Sequence, residues 1–203
     1  MKAGLCIAAL LMSTAAFAQS ASVPGPYIID LRGAMSGAPS GTSFYPPVPA
    51  DTLAPRRAFG FGVGAHVYPF AVGIARLGLG VDLMRVRGSA TSLSHVNATT
   101  SVTTLAPQIS FNFGTRDGWS YLSGGYGTTQ TRAEVTAPAS DTTSAATLSR
   151  ERRTRTINIG GGARWFLREH MAVGFDVRFH RLAATHGLPS KQVVGLSVGL
   201  SIR

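Results

Sequence analysis

Cysteine and long apolar runs are the two features that this sequence most lacks. Among 203 residues there is one cysteine, Cys6. A single cysteine excludes an intramolecular disulfide, and loss of the first 18 residues would also remove any thiolate chemistry. A membrane-spanning helix needs about 20 mostly apolar residues, and beyond residue 18 no continuous apolar run approaches that length. If this chain enters a membrane, it must therefore cross with strands.

Lysine and acidic residues are also scarce. The formal net charge is +10, from 19 Lys and Arg against 9 Asp and Glu, and the lysines are only Lys2 and Lys191. The positive charge is therefore almost entirely arginine. In an exported protein such an excess favours anionic lipid headgroups as the partner. The polar segments also lack the basic and aromatic alternation that single-stranded nucleic acid requires, so we expect no nucleic-acid partner.

The first 18 residues have the organisation of a cleaved secretory signal. Lys2 gives the positive start, residues 5–12 form a short apolar core, and residues 16–18 read Ala-Phe-Ala. Small residues at that spacing are typical of a signal-peptidase site. We expect cleavage between Ala18 and Gln19, then a short periplasmic segment over 19–26 and one domain over 27–203.

Alternation of apolar with small or polar residues dominates the domain. A period of two over six to ten residues predicts a strand with one apolar face. Gly and Pro within such patterns mark irregularities, so a bulge or strand end is expected at Pro107 and a bulge near Gly124 and Gly125. The eight predicted strands cover 27–34, 58–70, 77–83, 108–113, 119–132, 157–166, 171–182 and 194–202.

The predicted connections alternate in length. Long polar segments fall at 35–56, 88–100, 133–152 and 183–191, and short ones at 70–76, 114–118 and 167–170. This order is typical of an all-β, eight-stranded antiparallel up-and-down transmembrane β-barrel. A soluble, lipocalin-like barrel is the alternative. The non-apolar positions are mostly Gly, Ser and Asn with few charges, which suits a crowded interior better than a soluble exterior.

Two long segments carry a family resemblance. The hairpin reads GGGARWFLREHMAVGFDVRF at 160–179, and the last strand reads VVGLSVGLSIR at 193–203. With the alternating strands, these segments resemble the small eight-stranded outer-membrane barrels that include the membrane domain of outer membrane protein A and the opacity-type proteins. The resemblance implies an outer-membrane location, insertion by the outer-membrane assembly machinery, monomeric or weakly oligomeric behaviour with a monomer expected, and loops displayed outside the cell. Such barrels usually end on an aromatic residue, whereas this chain ends on Arg203.

Three acids and three arginines fall on the inward-facing positions of the predicted strands. Unpaired charges in a barrel interior cost several kcal/mol each, so we expect a mutually neutralising lumen network. Arg164 lies on the strand next to Asp176 and is its predicted partner. The six residues are Asp30, Arg32, Asp82, Arg164, Asp176 and Arg178.

Two bands are predicted at the strand ends. Aromatic residues beside the short turns predict an interfacial girdle, formed by Tyr68, Phe70, Trp119, Tyr121, Trp165 and Phe166. Arginines beside the long connections predict a collar for lipopolysaccharide phosphates, because guanidinium groups bind phosphate oxygens in bidentate pairs. The collar consists of Arg56, Arg57, Arg85, Arg87, Arg132, Arg150, Arg152, Arg153, Arg155 and Arg181.

The histidines and serines form no recognisable catalytic pattern. A hydrolase would need a serine activated by an oriented histidine, and the candidates are His180 with His186 or Ser190, and His95 with Ser92 or Ser94. No pair has a trusted metal-ligand spacing. We therefore expect no enzyme, cofactor or metal, and a structural or surface-interaction role. A narrow small-solute channel and a lipid A-modifying enzyme remain the alternatives.

Overall fold

The computed structural model describes residues 25–39, 44–46, 52–115, 117–138, 146–184 and 190–203. The predicted signal peptide at 1–18 lies outside these ranges, as does most of the predicted periplasmic segment. No helix within the described ranges is long and apolar enough to cross a membrane.

Eight strands form one closed antiparallel ring in chain order, in which the last strand also pairs with the first. The prediction of an eight-stranded up-and-down barrel is therefore confirmed. We call the end of the barrel at which residues 73–74, 117 and 169–170 lie the turn end, and the opposite end the loop end. The strands are β1 Tyr27–Gly37, β2 Arg57–Val72, β3 Ala75–Thr91, β4 Asn97–Thr115, β5 Gly118–Ala137, β6 Ala146–Arg168, β7 Met171–Leu182 and β8 Lys191–Ile202.

The barrel is apolar outside and polar inside. On the outer face, Ile159 and Val198 are 64% and 66% exposed, and neighbouring positions are also large and apolar. On the inner face, Asn158 and Ser201 are buried. A soluble barrel would have the opposite arrangement, since exposed apolar surface of this extent is unfavourable in water. The distribution is that of a barrel whose outer surface faces lipid.

Two of the predicted long loops are mostly strand. β3 and β4 are joined by a turn at 92–96, and β5 and β6 extend to 137 and from 146. The prediction of loops over 88–100 and 133–152 was therefore wrong. These segments are rich in Thr, which favours strands, and their alternation is between polar and small residues. A search for large apolar residues does not detect this pattern.

The predicted irregularities also differ from those observed. Within the described residues, register shifts occur between Val67 and Phe70 and between Phe166 and Arg168. β4 continues through Pro107 without a shift, so the bulges predicted there and at Gly124–Gly125 were wrong. A Cβ on Gly127 would lie 2.1 Å from the Leu105 carbonyl oxygen. Glycine thus lets β5 approach β4 closely beside the proline, where the chain would otherwise have to bulge.

The central strands project beyond the rest of the ring at the loop end. The β6–β7 ladder ends at Thr156 and Leu182, whereas β6 continues to pair with β5 as far as Ala146. We call residues 88–100, 128–138 and 146–155 the extension. It continues the barrel wall on one side only.

The lipid-facing assignment predicts a contrast between two leucines of similar exposure. Leu196 on β8 is 45% exposed on the apolar outer face of the barrel, which we call the apolar band. Leu148 on the extension is 51% exposed. Leu196→Arg should lower the free energy of unfolding by about 2–4 kcal/mol, because a cation would enter hydrocarbon. Leu148→Arg should change it little. Urea unfolding in lipid vesicles measures both, and equal tolerance would contradict the lipid-facing assignment.

Candidate functional site

One ion pair of the lumen joins β1 to β6. Arg164 donates from Nε and a terminal nitrogen to the two Asp30 carboxylate oxygens, at 3.0 and 2.7 Å. The Ser201 hydroxyl on β8 donates to Asp30 Oδ1 at 2.6 Å. The Arg164 guanidinium also lies 4.1 Å from the centre of the Tyr121 ring. Three strands and an aromatic ring therefore hold this pair in place.

A second cluster surrounds Asp176. Arg178 donates to both of its carboxylate oxygens, at 3.1 and 2.8 Å, and the Tyr121 hydroxyl donates to Oδ2 at 2.8 Å. Arg32 lies 3.8 Å from Asp176 and forms an ion pair with Asp82. Together with the first pair, the structure brings all six predicted lumen charges into ion pairs.

The predicted pairing of Arg164 with Asp176 was wrong. Asp176 forms an ion pair with Arg178, two residues along its own strand, and Arg164 forms one with Asp30. Tyr121 accounts for the difference between the predicted and the observed pairing. The Arg164 guanidinium lies over its ring, and its hydroxyl donates a hydrogen bond to Asp176. Tyr121 was assigned from the sequence to the outer girdle, so its effect on the pairing could not be foreseen.

Neutral side chains complete the Arg178 site. Its terminal nitrogens donate to Gln108 at 2.7 Å, Asn158 at 2.8 Å and Ser123 at 2.9 Å, and Gln108 donates to Asn158 at 2.9 Å. No motif in the sequence marks these three residues. Their shared inward position was the available signal, because a buried guanidinium requires an acceptor for each donor.

Loss of the Asp176 carboxylate should destabilise the barrel. In Asp176→Ala, Arg178 keeps its burial but loses the acid with which it forms an ion pair, which costs about 3–5 kcal/mol for a broken buried pair. Adding Arg178→Met should recover part of that loss, because no unpaired charge then remains. Unfolding in lipid vesicles measures both variants. Unchanged stability in Asp176→Ala would contradict a structural role for the network.

An aromatic cluster closes the turn end of the lumen. Trp119 lies centrally, with its ring centre 5.6 Å from that of Tyr68 and 5.1 Å from that of Phe166. Ile28 is fully buried against them. The Arg203 guanidinium lies 3.9 Å from the Phe166 ring centre. These side chains fill the position where an open pore would reach the turn end.

The predicted aromatic girdle is only partly on the outer face. Tyr68, Trp119 and Tyr121 point into the barrel, so their assignment to the girdle was wrong. Tyr68 shares its parity with the inward His66, and that signal was present in the sequence. Phe166 is half-buried against the interior cluster, and Phe70 and Trp165 are exposed on the outer face.

A segment between β1 and β2 closes part of the loop end. Phe44 and Tyr45 are buried and pack with Val96 and Val135 on the inner face of the extension. The Tyr45 hydroxyl lies 2.6 Å from the Thr100 hydroxyl. Burial raises the pKa of Tyr45, and the hydrogen bond with Thr100 opposes that shift. The extension thus provides an apolar surface that holds this segment over the lumen.

The first histidine candidate for catalysis lies inside the barrel. His180 is 3% exposed, although it was predicted at the outer rim, and neither ring nitrogen has a hydrogen-bond partner among the described residues. Ser190 is exposed at the loop end, and His186 lies outside the described residues. The described part of the chain does not bring His180 and a serine together as a nucleophile and base.

The second candidate is a turn. Ser92 accepts a hydrogen bond from the Val96 amide at 3.2 Å and lies 2.8 Å from the Ser94 hydroxyl. The His95 amide donates to the Ser92 carbonyl at 3.1 Å, and His95 has a φ of 62°. Local hydrogen bonds therefore account for the serines. Across the described ranges, no group of three or more His, Cys, Asp or Glu could hold a metal ion.

The arginines predicted as a collar divide into two sets. Those on outward positions beside or above the apolar band are Arg57, Arg85, Arg87, Arg132, Arg153, Arg155 and Arg181. Arg150 and Arg152 have the parity of the inward Thr154, and Arg56 precedes β2. Arg132 forms a 2.8 Å ion pair with Glu134.

Comparison with known proteins gives a family and a set of similar structures. The family model described as outer membrane protein beta-barrel domain matches residues 4–201. The crystal structure of Ail, the attachment invasion locus protein of Yersinia pestis, is similar with a TM-score of 0.53 at 10% identity, covering 87% of this chain and 95% of Ail. Its complex with sucrose octasulfate gives 0.51 at 11% identity, with the same coverage. A search of curated proteins finds no match.

Proposed function

Because the chain belongs to the outer membrane protein β-barrel family, we propose that it is a structural or surface-interaction protein anchored at lipopolysaccharide phosphates by its outward arginines. The chain is an outer-membrane β-barrel. The further proposal includes export with cleavage between Ala18 and Gln19, insertion by the outer-membrane assembly machinery, and a monomer whose loop end faces the outside. The arginine rim is the observation that carries the proposed anchoring.

The position of the arginines supports phosphate binding. Arg85 on β3 and Arg153 on β6 are in register across β4 and β5, through Thr103 and Gln130. Along β6, Arg155 is followed toward the membrane by Ile157 and Ile159 on the same outer face. Arginine therefore begins where the apolar band ends, and lipid phosphates lie at that boundary.

The charge on this face is only partly neutralised within the protein. Arg132 pairs with Glu134, and Glu151 accepts a hydrogen bond from Gln130. In the described part of the chain, Arg153 and Arg155 have no ion pair with an acid, and the Arg153 guanidinium donates only to the Thr128 hydroxyl, at 3.5 Å. Guanidinium groups with free donors bind phosphate oxygens in bidentate pairs. The Ail complex contains a heparin analogue, but at 11% identity that likeness extends to the fold alone.

Replacing Arg85, Arg153 and Arg155 with Gln should weaken binding to lipopolysaccharide about tenfold, since three exposed contacts of about 0.5 kcal/mol each sum to roughly 1.5 kcal/mol. The wild-type affinity should also fall more steeply with salt than that of the variant. Titration of the reconstituted barrel with lipopolysaccharide measures both effects.

A matched control uses an arginine at the opposite end of the barrel. Arg168 is exposed near the turn end, so Arg168→Gln should leave lipopolysaccharide affinity unchanged, whereas Arg155→Gln alone should lower it. Dephosphorylated lipopolysaccharide should bind the wild type and the triple variant alike. Unchanged affinity and salt dependence in the triple variant would contradict the arginine anchor.

The closures at both ends weigh against the channel alternative. The Trp119 cluster fills the turn end, and Phe44 and Tyr45 cover part of the loop end. The ion pairs of the lumen network lie between these two closures. In planar bilayers we expect no stable conductance step from the wild type. Trp119→Ala combined with Phe44→Ala should raise the leak current, because it removes a large side chain from each closure. A reproducible wild-type step size would instead favour the small-solute channel.

A further inference from the structure

The extension ends in an open strand edge. β6 pairs with β7 only as far as Thr156 and Leu182, and the last hydrogen bond of that ladder runs from the Ala183 amide to the Arg155 carbonyl, at 2.8 Å. From Arg155 to Ala146 the ladder with β5 continues on the other side of β6. Within the described ranges, this ten-residue edge has no strand beside it.

The backbone groups on this edge can be assigned from the alternation of the ladder. The Arg155 carbonyl points toward the β7 side, and residues two apart in a strand point their backbone groups to the same side. The amide and carbonyl groups of Thr147, Ser149, Glu151 and Arg153 therefore point to the open side. All four residues are exposed. Such a row of donors and acceptors is a template for an added strand.

The opposite edge of the extension, formed by β3, has another part of the chain beside it. A Cβ on Gly88 of β3 would lie 2.2 Å from the Arg57 carbonyl oxygen and 3.2 Å from Pro55. Pro55, just before β2, therefore lies beside the start of the β3 edge, whereas no described residue pairs with the β6 edge between 146 and 154.

The positive charge of the β6 edge determines which kind of strand can bind there. Residues 146–155 contain Arg150, Arg152, Arg153 and Arg155 against one acid, Glu151. The four arginines less one acid leave this edge with a net charge of +3, so two copies paired through the same strand would repel each other overall. A strand with acidic side chains at alternate positions would instead place them beside Arg153 and Arg155 on the outer face.

We propose that the β6 edge of the extension binds an extended acidic polypeptide segment from another protein by β-strand addition. Backbone hydrogen bonds to the open side of β6 supply the docking, and Arg153 and Arg155 supply the preference for acidic side chains. This interaction goes beyond the proposed lipopolysaccharide anchor, because it depends on backbone groups above the level of the apolar band.

The test uses the full chain in lipid nanodiscs and a labelled ten-residue peptide in which threonine and glutamate alternate. The wild type should bind this peptide, and Ser149→Pro should weaken binding at least about tenfold, since the proline ring replaces an edge amide and blocks the adjacent contacts. Ser149→Ala keeps the amide and should bind as the wild type does. The proline is tolerated within the hairpin because the lost amide faces away from β5.

A second comparison leaves the protein unchanged. A peptide of the same sequence, N-methylated at every second residue along one edge, keeps its charge but cannot complete the ladder, so it should bind at least about tenfold more weakly. A peptide with lysine in place of glutamate should not bind. Equal affinity for the methylated and unmethylated peptides would show simple charge attraction and overturn strand addition.

The two proposals separate by variant. Arg153→Gln with Arg155→Gln should weaken both peptide and lipopolysaccharide binding, whereas Ser149→Pro should weaken only peptide binding. Loss of lipopolysaccharide binding in Ser149→Pro would overturn the separation of the two sites. A dimer that forms without peptide in the Ser149→Ala variant and disappears in Ser149→Pro would identify a second copy as the occupant and contradict an acidic partner.

Discussion

Closure of the hydrogen-bond ladder is the constraint on which the rest of this structure depends. In lipid no water can satisfy an unpaired amide or carbonyl, so strands in the membrane must form a ring without an edge. The pairing of β1 with β8 meets this requirement. Once the ring is closed, alternation directs every second side chain to lipid and the others into a narrow interior. The apolar band and the charged lumen both follow from it.

The interior has to be filled and neutralised at the same time. Eight strands enclose a space that side chains can occupy completely, and here charges occupy the middle while aromatic rings occupy the turn end. Beyond the membrane the constraint relaxes, because water can satisfy an open edge. The extension, whose β6 edge has no paired strand among the described residues, is therefore possible only outside the lipid. The same strands must therefore be fully paired within the membrane but can have an unpaired edge beyond it.

The sequence predicted the fold and the inward position of the six lumen charges, because a period of two fixes the face of each residue. It did not predict their partners. Arg164 and Asp176 are separated by Tyr121, and which charges meet across a barrel depends on stagger and on bulky neighbours rather than on spacing. The prediction of strand length was wrong for a different reason. The outward positions of the extension are polar rather than large and apolar, and such a pattern resembles a loop in composition.

Asp30 illustrates how far apart in the chain the parts of this lumen are. Its carboxylate is held by Arg164 and by Ser201, which is 171 residues away in sequence. Contacts of such separation form late, because the intervening chain must first lose its conformational freedom. The seam between the first and last strands is therefore the natural final step of assembly. Until that step, Asp30, which lies near the turn end of the seam, lacks the hydroxyl that donates to it from β8.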